Sequence, residues 1–573
     1  VGGGRTECRV VRLLRLLRVE AFMFRPIVPI EEVGCGSGEV PFGAVPSRGS
    51  VVQNDFDRVF DFYEEQLSFL SSQTSNLERV IGIDSRVTSI EPEELKIALT
   101  SRVVDASWEA AFVAHFLGSA RTSVVLITRS SRLKAVLRGS LGFRVISFPR
   151  LPLRKLWSRL RVDRSSASNK IADADAQKIQ PSHEVVVIEH QGSSYARLYR
   201  WSQYDEGRSE PEHLLGVLPR LSYSELDYRS LNRSQLVTCL IQTLLASPRA
   251  LAVVARCRSG MRAAAFVEIL RLGFEVRSAR KVIKSSYPDL RVSLFAYDML
   301  VPPSLSVALA AEGVWRVATL ERPNVHLTGL PILVDDWLVP VDEAPQVAKL
   351  SSFVRFRRMV RVGYWRTDFF FAPLKEQRED EIDVLVLPYH VDDLGANDSG
   401  DPFTSSGVFE HFIRSVMQLC DRYPELRFLV RAKNDSWVTN PRLGDCVHEM
   451  RSLGNLVIDT TYDLDGRSYH LAKSARVVIG KYTSMMEEAR SFGKPVVIHN
   501  FNQFQSHDFA EGDLGLPWDF FAQNQGRFED LFREALSKSS SQHGRMEFCD
   551  GQVRRRIRLH IETVLTELRG GDQ

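Results

Sequence analysis

Apolar residues in this chain follow two alternating rhythms. Short continuous runs such as 122–129 (TSVVLITR), 143–148 (FRVISF), 183–189 (HEVVVIE), 292–298 (VSLFAYD) and 314–323 (VWRVATLERP) read as buried strands. Between them lie stretches with apolar positions three or four apart, at 107–120, 130–142, 259–273 and 304–313, which read as helices. Residues 250–257 (ALAVVARC) are a further predicted strand, and 335–342 continues the run. Strands alternating with helices require crossover connections, and therefore a parallel sheet. The rhythm restarts after residue 376. Strands are expected at 382–390, 426–437, 455–461, 476–479 and 496–498, helices at 407–423, 448–454 and 465–475, and two closing helices at 528–539 and 554–568.

The predicted fold class is therefore α/β, with two Rossmann-like domains and an N-terminal extension. The expected boundaries are 1–80 for the extension, 81–365 for the first domain and 366–573 for the second. Within the extension, Phe56, Val59, Phe60 and Tyr63 recur at helical spacing. Residues 165–182 are polar and poor in bulky side chains, and read as a loop.

The densest chemistry lies at 475–500, a strand, a polar turn, a short helix and a second strand. Ser484 and Glu487 have capping-box spacing, which predicts Ser484 as the N-cap. A helix N-terminus presents free N–H groups and a positive dipole end, so a diphosphate can bind there with the hydroxyls of Thr483 and Ser484 and the cation of Lys481. Glu488 is not used by the cap and can accept hydrogen bonds from the two hydroxyls of a ribose. Gly493 is expected to end the helix as its C′ residue, with Pro495 preventing a restart. The same residues also read as ordinary caps on an ordinary βαβ helix.

The run 487–497, EEARSFGKPVV, resembles the donor-domain signature of GT-B glycosyltransferases, and most of all that of bacterial surface-polysaccharide transferases of the capsule and lipopolysaccharide kind. The resemblance implies two domains facing across a cleft, with Glu488 on the nucleotide ribose and Thr483 and Ser484 along the diphosphate. It also implies a basic pair facing the donor phosphates, here Arg431 and Lys433, which leave a strand end at the same sheet edge as Thr483. A Gly-x-x-x-x-Asp run that opens the family's second domain has its counterpart in 362–368 (VGYWRTD), and the family's final helix often packs back on the first domain. Retaining members carry a second Glu eight positions before the first, where this chain has Gly480. Nucleotide-sugar 2-epimerases of the same fold carry a similar run but place a glycine pair where this chain has Thr483 and Ser484.

Composition narrows the partners. At 573 residues the chain exceeds one core, and 44% hydrophobic with 25% charged residues is ordinary for a globular protein. A net charge of +3 gives no general basic face for nucleic acid. The seven cysteines show no paired spacing, so neither zinc nor a disulfide framework is expected and a reducing cytoplasm is the default. No apolar run has the length of a membrane span. Arg9, Arg12, Arg15 and Arg18 among valines and leucines form a short basic interfacial segment, or precede a true start at Met23. Residues 150–164, with Arg154, Arg159 and Arg161 around Leu156, Trp157 and Leu160, are a second basic amphipathic stretch suited to an anionic membrane surface or to a solvated helix face.

An inverting transferase needs a general base across the cleft. Glu189, His190 and Asp298 follow strand ends in the first domain and are the catalytic candidates, with Glu321 as an alternative. Asp463 and Asp465 spell D-x-D but read as a capping loop. No metal and no cofactor are expected, because the resemblance implies that Arg, Lys and helix dipoles hold the leaving diphosphate. The expected function is transfer of a sugar from a nucleotide-sugar donor to a surface glycan or lipid-linked precursor, in the cytoplasm or peripheral to the inner face of the cytoplasmic membrane. The alternatives are a 2-epimerase-like isomerase and a catalytically silent scaffold of the same fold.

Overall fold

The computed structural model describes residues 27–29, 74–82, 90, 92–100, 125–128, 144–147, 184–189, 220–222, 226, 228–255, 259–295, 301–320, 332–340, 354–371, 382–388, 391, 406–432, 436–460, 467–481, 483–499, 521–522, 524–538 and 547–570. Strands β1 (Ile27–Pro29), β2 (Val125–Thr128) and β3 (Arg144–Ser147) form a small parallel sheet. The first large sheet contains β4 (Val185–Glu189), β5 (Arg220–Ser222), β6 (Val292–Phe295), β7 (Trp315–Thr319), β9 (Asp336–Val339) and β11 (Arg358–Arg361), in the order β5-β4-β6-β7-β9-β11. A two-stranded ribbon pairs β8 (Ile332–Leu333) with β10 (Val354–Arg355).

The second sheet contains β12 (Val384–Leu387), β13 (Phe428–Val430), β14 (Leu456–Ile458), β15 (Val477–Gly480), β16 (Val496–His499) and β17 (Phe521–Ala522), in the order β14-β13-β12-β15-β16-β17. All described pairings in both large sheets are parallel. The expected class, α/β with two Rossmann-like units, is the class observed.

Helices α1 (Thr74–Ile81), α2 (Pro92–Thr100), α3 (Arg233–Leu245), α4 (Ser247–Val254), α5 (Ser259–Ser286) and α6 (Pro303–Ala311) accompany the first sheet. Residues 250–257 depart from expectation: 250–254 are helical, not a strand. Pro248 sits in the first turn of α4, where its missing N–H costs nothing, and a short apolar run cannot by itself distinguish a strand from a buried helix. Gly273 likewise does not end a helix, because α5 continues to Ser286. A Cβ at Gly273 would lie 3.3 Å from the Val80 carbonyl oxygen, so the glycine permits the close approach of α1. Helix α1 straddles the expected 80/81 boundary and buries Leu77, Val80 and Ile81 in the first domain's core.

The period-two alternation of strand side chains divides the first sheet between two cores. Val186, Ile188, Phe295 and Trp337 face the helices α1, α2, α5 and α6. Val185, Val187, Leu294, Val317 and Leu338 instead meet Val553, Ile557, Ile561 and Val564 of the chain's last helix, α12 (Val553–Gly570). The final helix thus packs back on the first domain, as the resemblance implied. Around the second sheet, α7 (Ser406–Arg422), α8 (Gly444–Ser452) and α11 (Gln525–Ser537) cover one face. Helices α9 (Arg467–Ser474) and α10 (Ser484–Ser491) cover the other.

A 3-10 turn, Trp365–Phe371, lies where the two units meet. Trp365 and Phe369 join the core beneath α12, while Phe370 stacks on Phe492 with ring centroids 4.4 Å apart in the core of α9 and α10. Asp368 accepts the N–H groups of Val553 at 3.1 Å and Arg554 at 3.0 Å, capping the final helix from far away in sequence. Gly363, at φ +95°, leaves no room for a side chain because a Cβ would meet the Phe548 carbonyl oxygen at 2.7 Å. Both ends of the expected 362–368 run therefore serve the docking of α12.

Two buried charge clusters fix the first domain. Arg316 is fully buried and makes paired 2.9 Å bonds to Glu94 of α2 and bonds of 2.9 and 3.1 Å to Asp335. Removing the cation would strand Glu94. We predict that Arg316→Met lowers the stability of the first domain by about 3–5 kcal/mol, and that Glu94→Gln costs less because Asp335 still neutralises the guanidinium. Urea unfolding followed by Trp337 fluorescence would show equal losses if this assignment is wrong.

Asp336 is fully buried and receives His560 Nε2 of α12 at 2.8 Å and the Arg358 guanidinium at 2.7 and 2.9 Å. Burial alone would raise its carboxyl, but the hydrogen bonds from His560 and Arg358 prevail and hold it below the usual carboxylate value. A depressed folded-state value contributes stability above the unfolded Asp value of about 3.9, which is lost as pH falls further through the folded value. Urea midpoints measured at stepped pH should therefore drop below about pH 4, and Asp336→Asn should flatten that acid limb.

Candidate functional site

In the second sheet the chain goes outward through β12, β13 and β14, then returns to the other side of β12 to lay down β15, β16 and β17. The reversal falls between β12 and β15, and open α/β sheets bind ligands at the carboxyl ends of the strands that flank such a reversal. Leu387 and Gly480 are register partners at those ends. A Cβ on Gly480 would lie 2.7 Å from the Leu387 carbonyl oxygen and 3.0 Å from Met486 Sδ, so the position where a retaining transferase carries its earlier Glu accepts no side chain here.

Past Gly480 the chain turns through Lys481 into α10. Thr483 is the N-cap, with extended backbone angles of φ −139° and ψ 157°, and Ser484 is the first helical residue. The predicted cap at Ser484 is thus one position late, and the capping box with Glu487 does not form. Glu487 lies beyond the first three helical positions and is within 3.6 Å of Arg490. Thr483 makes no capping bond, and its Oγ1 is buried without a hydrogen-bond partner. Lys481 is buried at 2% exposure. Its charge reaches His499 at the end of β16. Burial first, then His411 and Lys481, hold that imidazole far below its ordinary value, so it is neutral, with Nε2 3.2 Å from Ser415 Oγ. The helix ends as expected. Gly493, at φ +89°, donates to Arg490 O at 2.8 Å, and Lys494 N donates to Ala489 O at 3.0 Å, the two bonds of a Schellman motif.

Glu488 occupies the opposite flank of α10 and is 1% exposed. Its Oε2 accepts the Tyr469 hydroxyl at 2.6 Å, and its Oε1 lies 2.8 Å from Arg366 Nε of the 3-10 turn. That contact is an ion pair and not an aligned hydrogen bond, so Oε1 retains accepting capacity. Arg431, at the end of β13, is equally engaged, with Nη1 2.8 Å from Asp459 Oδ2 and Nε 2.9 Å from Ser468 Oγ. Arg467 also reaches Asp459, at 3.2 Å. Lys494 donates to Ala475 O at 2.9 Å.

The structure thus brings Thr483, Lys481 and the start of α10 together at one sheet edge, while Arg431 and Glu488 are held by partners of their own. Lys433, the Ser484 side chain, Asp463 and Asp465 lie outside the described residues. Glu189 terminates β4 and Phe295 terminates β6, neighbouring strands flanking the reversal of the first sheet. The Glu189 side chain, His190, Asp298 and Glu321 lie outside the described residues, as do 150–164. Arg366, Tyr469 and Asp459 were not anticipated. The signal was present in Trp365-Arg366-Thr367-Asp368-Phe369, where two charges set among aromatic residues mark buried partners. Among the described residues no three His, Cys, Asp or Glu side chains group to hold a metal ion.

No family model matches the sequence, and no curated protein matches it. Among solved structures, the S. aureus MnaA–UDP co-structure is 12% identical and covers 67% of this chain and 96% of its own, with a TM-score of 0.38. The UDP-GlcNAc 2-epimerase from Neisseria meningitidis bound to UDP-GlcNAc is also 12% identical, covering 67% and 99%, with a TM-score of 0.39. The wall teichoic acid polymerase TagF with CDPG is 12% identical, covering 73% and 97%, with a TM-score of 0.37. Likeness at this level carries no functional weight, and the fold class rests on the strand order itself.

Glu488 and Arg366 form a buried pair, so removing the acid takes the carboxylate away from a largely buried cation. We predict that Glu488→Ala lowers stability by about 3–5 kcal/mol, and that Glu487→Gln, which loses one loose contact at 3.6 Å, changes it by less than about 0.5 kcal/mol. Thermal unfolding of the two variants decides, and an unmoved melting temperature for Glu488→Ala would show that the pair contributes nothing.

Proposed function

We propose that the chain is a nucleotide-sugar-dependent glycosyltransferase whose donor diphosphate sits at the N-terminus of α10. The observation that carries this reading is the buried, unpartnered hydroxyl of Thr483 at a helix N-terminus, at the carboxyl edge where the second sheet reverses, beside buried Lys481. An unsatisfied buried hydroxyl costs free energy unless a ligand oxygen completes it. The N–H groups of the first turn and the helix dipole favour an anion at the same place. The resemblance of 487–497 to a donor-domain signature supports the nucleotide-sugar assignment.

In this reading an acceptor hydroxyl oxygen attacks the anomeric carbon while a base on the first domain takes its proton. Glu189, His190 and Asp298 remain the candidates for that base. The bond from the anomeric carbon to the diphosphate oxygen breaks, and the electron pair leaves on the diphosphate, where Lys481, Thr483 and the helix N–H groups receive the charge. Glu488 turns its spare Oε1 acceptor to the ribose while Arg366 and Tyr469 hold the carboxylate. Gly480 leaves no room for a second acid, which favours a single displacement. The acceptor is a glycan or lipid-linked precursor.

The full chain should gain thermal stability with one of UDP, GDP, CMP, ADP or dTDP, because a ligand that binds only the folded state stabilises it by mass action. Thr483→Val should raise the ligand-free melting temperature slightly and should not lower it, since it removes a buried hydroxyl that has no partner to lose. It should weaken nucleotide binding by about 10-fold or more, as expected for a hydrogen bond to a charged group. Nucleotide binding unaffected by Thr483→Val removes the donor site from this helix. Conversion of the sugar nucleotide to an isomer without any acceptor would replace transfer by isomerisation.

A further inference from the structure

The first domain carries an apolar surface that the donor site does not use. Helix α3 is firmly defined, with Asn232 and Gln235 forming a reciprocal capping box at 3.0 and 3.2 Å. It nevertheless exposes Val237, Ile241, Leu244 and Leu245, which lie four, seven and eight residues along one helical face. Leu245 is 74% exposed and Leu244 58%. The chain then bends by 42° into α4, where Leu251 is 55% exposed. No single described helix is long and apolar enough to cross a membrane, but this bent pair together has the length and composition of a broken or re-entrant one.

The charge pattern identifies the occupant. The chain has 74 basic and 71 acidic residues, yet 228–267 holds six arginines, Arg229, Arg233, Arg249, Arg256, Arg258 and Arg262, with no Asp or Glu. Arg233 and Arg249 are exposed at the starts of the two helices. Leucines facing outward between arginines suit a headgroup boundary, where apolar side chains enter the acyl layer and cations meet anionic lipid. A second copy fits poorly, because a two-fold contact through this face pairs the patch with itself, and 228–267 offers no Asp or Glu to meet its arginines.

We infer that the α3–α4 face, Val237 to Leu251 with Arg233 and Arg249, seats the protein on an anionic lipid surface. The segment is separate in sequence from the basic stretch at 150–164, and the inference does not depend on the donor assignment.

The test is flotation of the full chain with vesicles of phosphatidylcholine alone and of phosphatidylcholine mixed with phosphatidylglycerol. The wild type should float with the mixed vesicles only, and less as salt is raised. Leu244→Gln combined with Leu245→Gln should weaken binding by about tenfold or more, as loss of two inserted side chains demands. Arg233→Glu with Arg249→Glu should do the same, since each basic residue near the surface contributes to attraction. Both variants should keep the wild-type thermal shift with nucleotide, while Leu244→Met with Leu245→Met should float as the wild type does. Failure of the wild type to float overturns the inference. So does undiminished flotation of the Gln variant, which would assign binding to another segment, and so does a concentration-dependent self-association that the Gln substitutions abolish, which would make this face a contact between copies.

Discussion

The structure depends on one short segment, the 3-10 turn Trp365–Phe371, and on its buried ion pair with α10. Arg366 reaches Glu488 at 2.8 Å in a setting where both side chains are nearly inaccessible to water. A buried cation deprived of its carboxylate carries a desolvation penalty of several kcal/mol, so the pair ties the turn to the helix. The residues on either side point to different cores. Trp365 and Phe369 fill the space beneath the final helix, and Phe370 stacks on Phe492 behind the second sheet. Asp368 closes the arrangement by accepting two N–H groups of the final helix. Burial pushes its carboxyl up, against the pull of Arg554 and those N–H donors. The position of α10, and with it Thr483 and Lys481, is thus tied through the seven residues of this turn to the helix that covers the first domain.

Much of this was legible in the sequence because parallel sheets buried on both faces write continuous apolar runs. Strands β6, β7, β12 and β13 fall within the predicted spans, β15 and β16 each run one residue past theirs, and Gly493 ends α10 with the bonds a C′ glycine makes. The misreadings have physical causes. Residues 250–254 are apolar enough for a strand, and only the N-terminal Pro248 argued for a helix. The helix expected at 259–273 runs on to Ser286, and the missing Cβ of Gly273 serves a contact nearly two hundred residues away along the chain. Thr483 and Ser484 are adjacent hydroxyls that can each cap a helix, Ser the somewhat better of the two, and Ser484 was favoured because it stands three before a Glu. The backbone instead turns one residue earlier.

Site chemistry was less legible than fold, because a motif gives residue types at a spacing and says nothing about which partner each has found. Arg431 and Glu488 have the types and positions expected of phosphate and ribose ligands. In the folded chain Asp459 and Ser468 hold the first, and Arg366 and Tyr469 hold the second. Those partners come from segments 19 to 122 residues distant, beyond the reach of any local pattern.

Among these groups, satisfied charges and unsatisfied dipoles call for different explanations. A guanidinium already neutralised by a carboxylate contributes little new attraction to a phosphate, and breaking its pair to free it would expose a buried acid. An unpaired hydroxyl carries no such cost, and a ligand oxygen that completes it recovers a desolvation penalty the protein has already incurred in folding. Thr483 is in that position, on a helix whose first N–H groups point the same way and whose neighbour is a buried lysine. Burial holds the nearby His499 imidazole well below its ordinary value, so it adds no competing cation beside Lys481. If charge develops on a leaving diphosphate here, it is met mainly by backbone N–H groups, one hydroxyl and one ammonium, with the arginine and the glutamate acting as the frame that holds them in place.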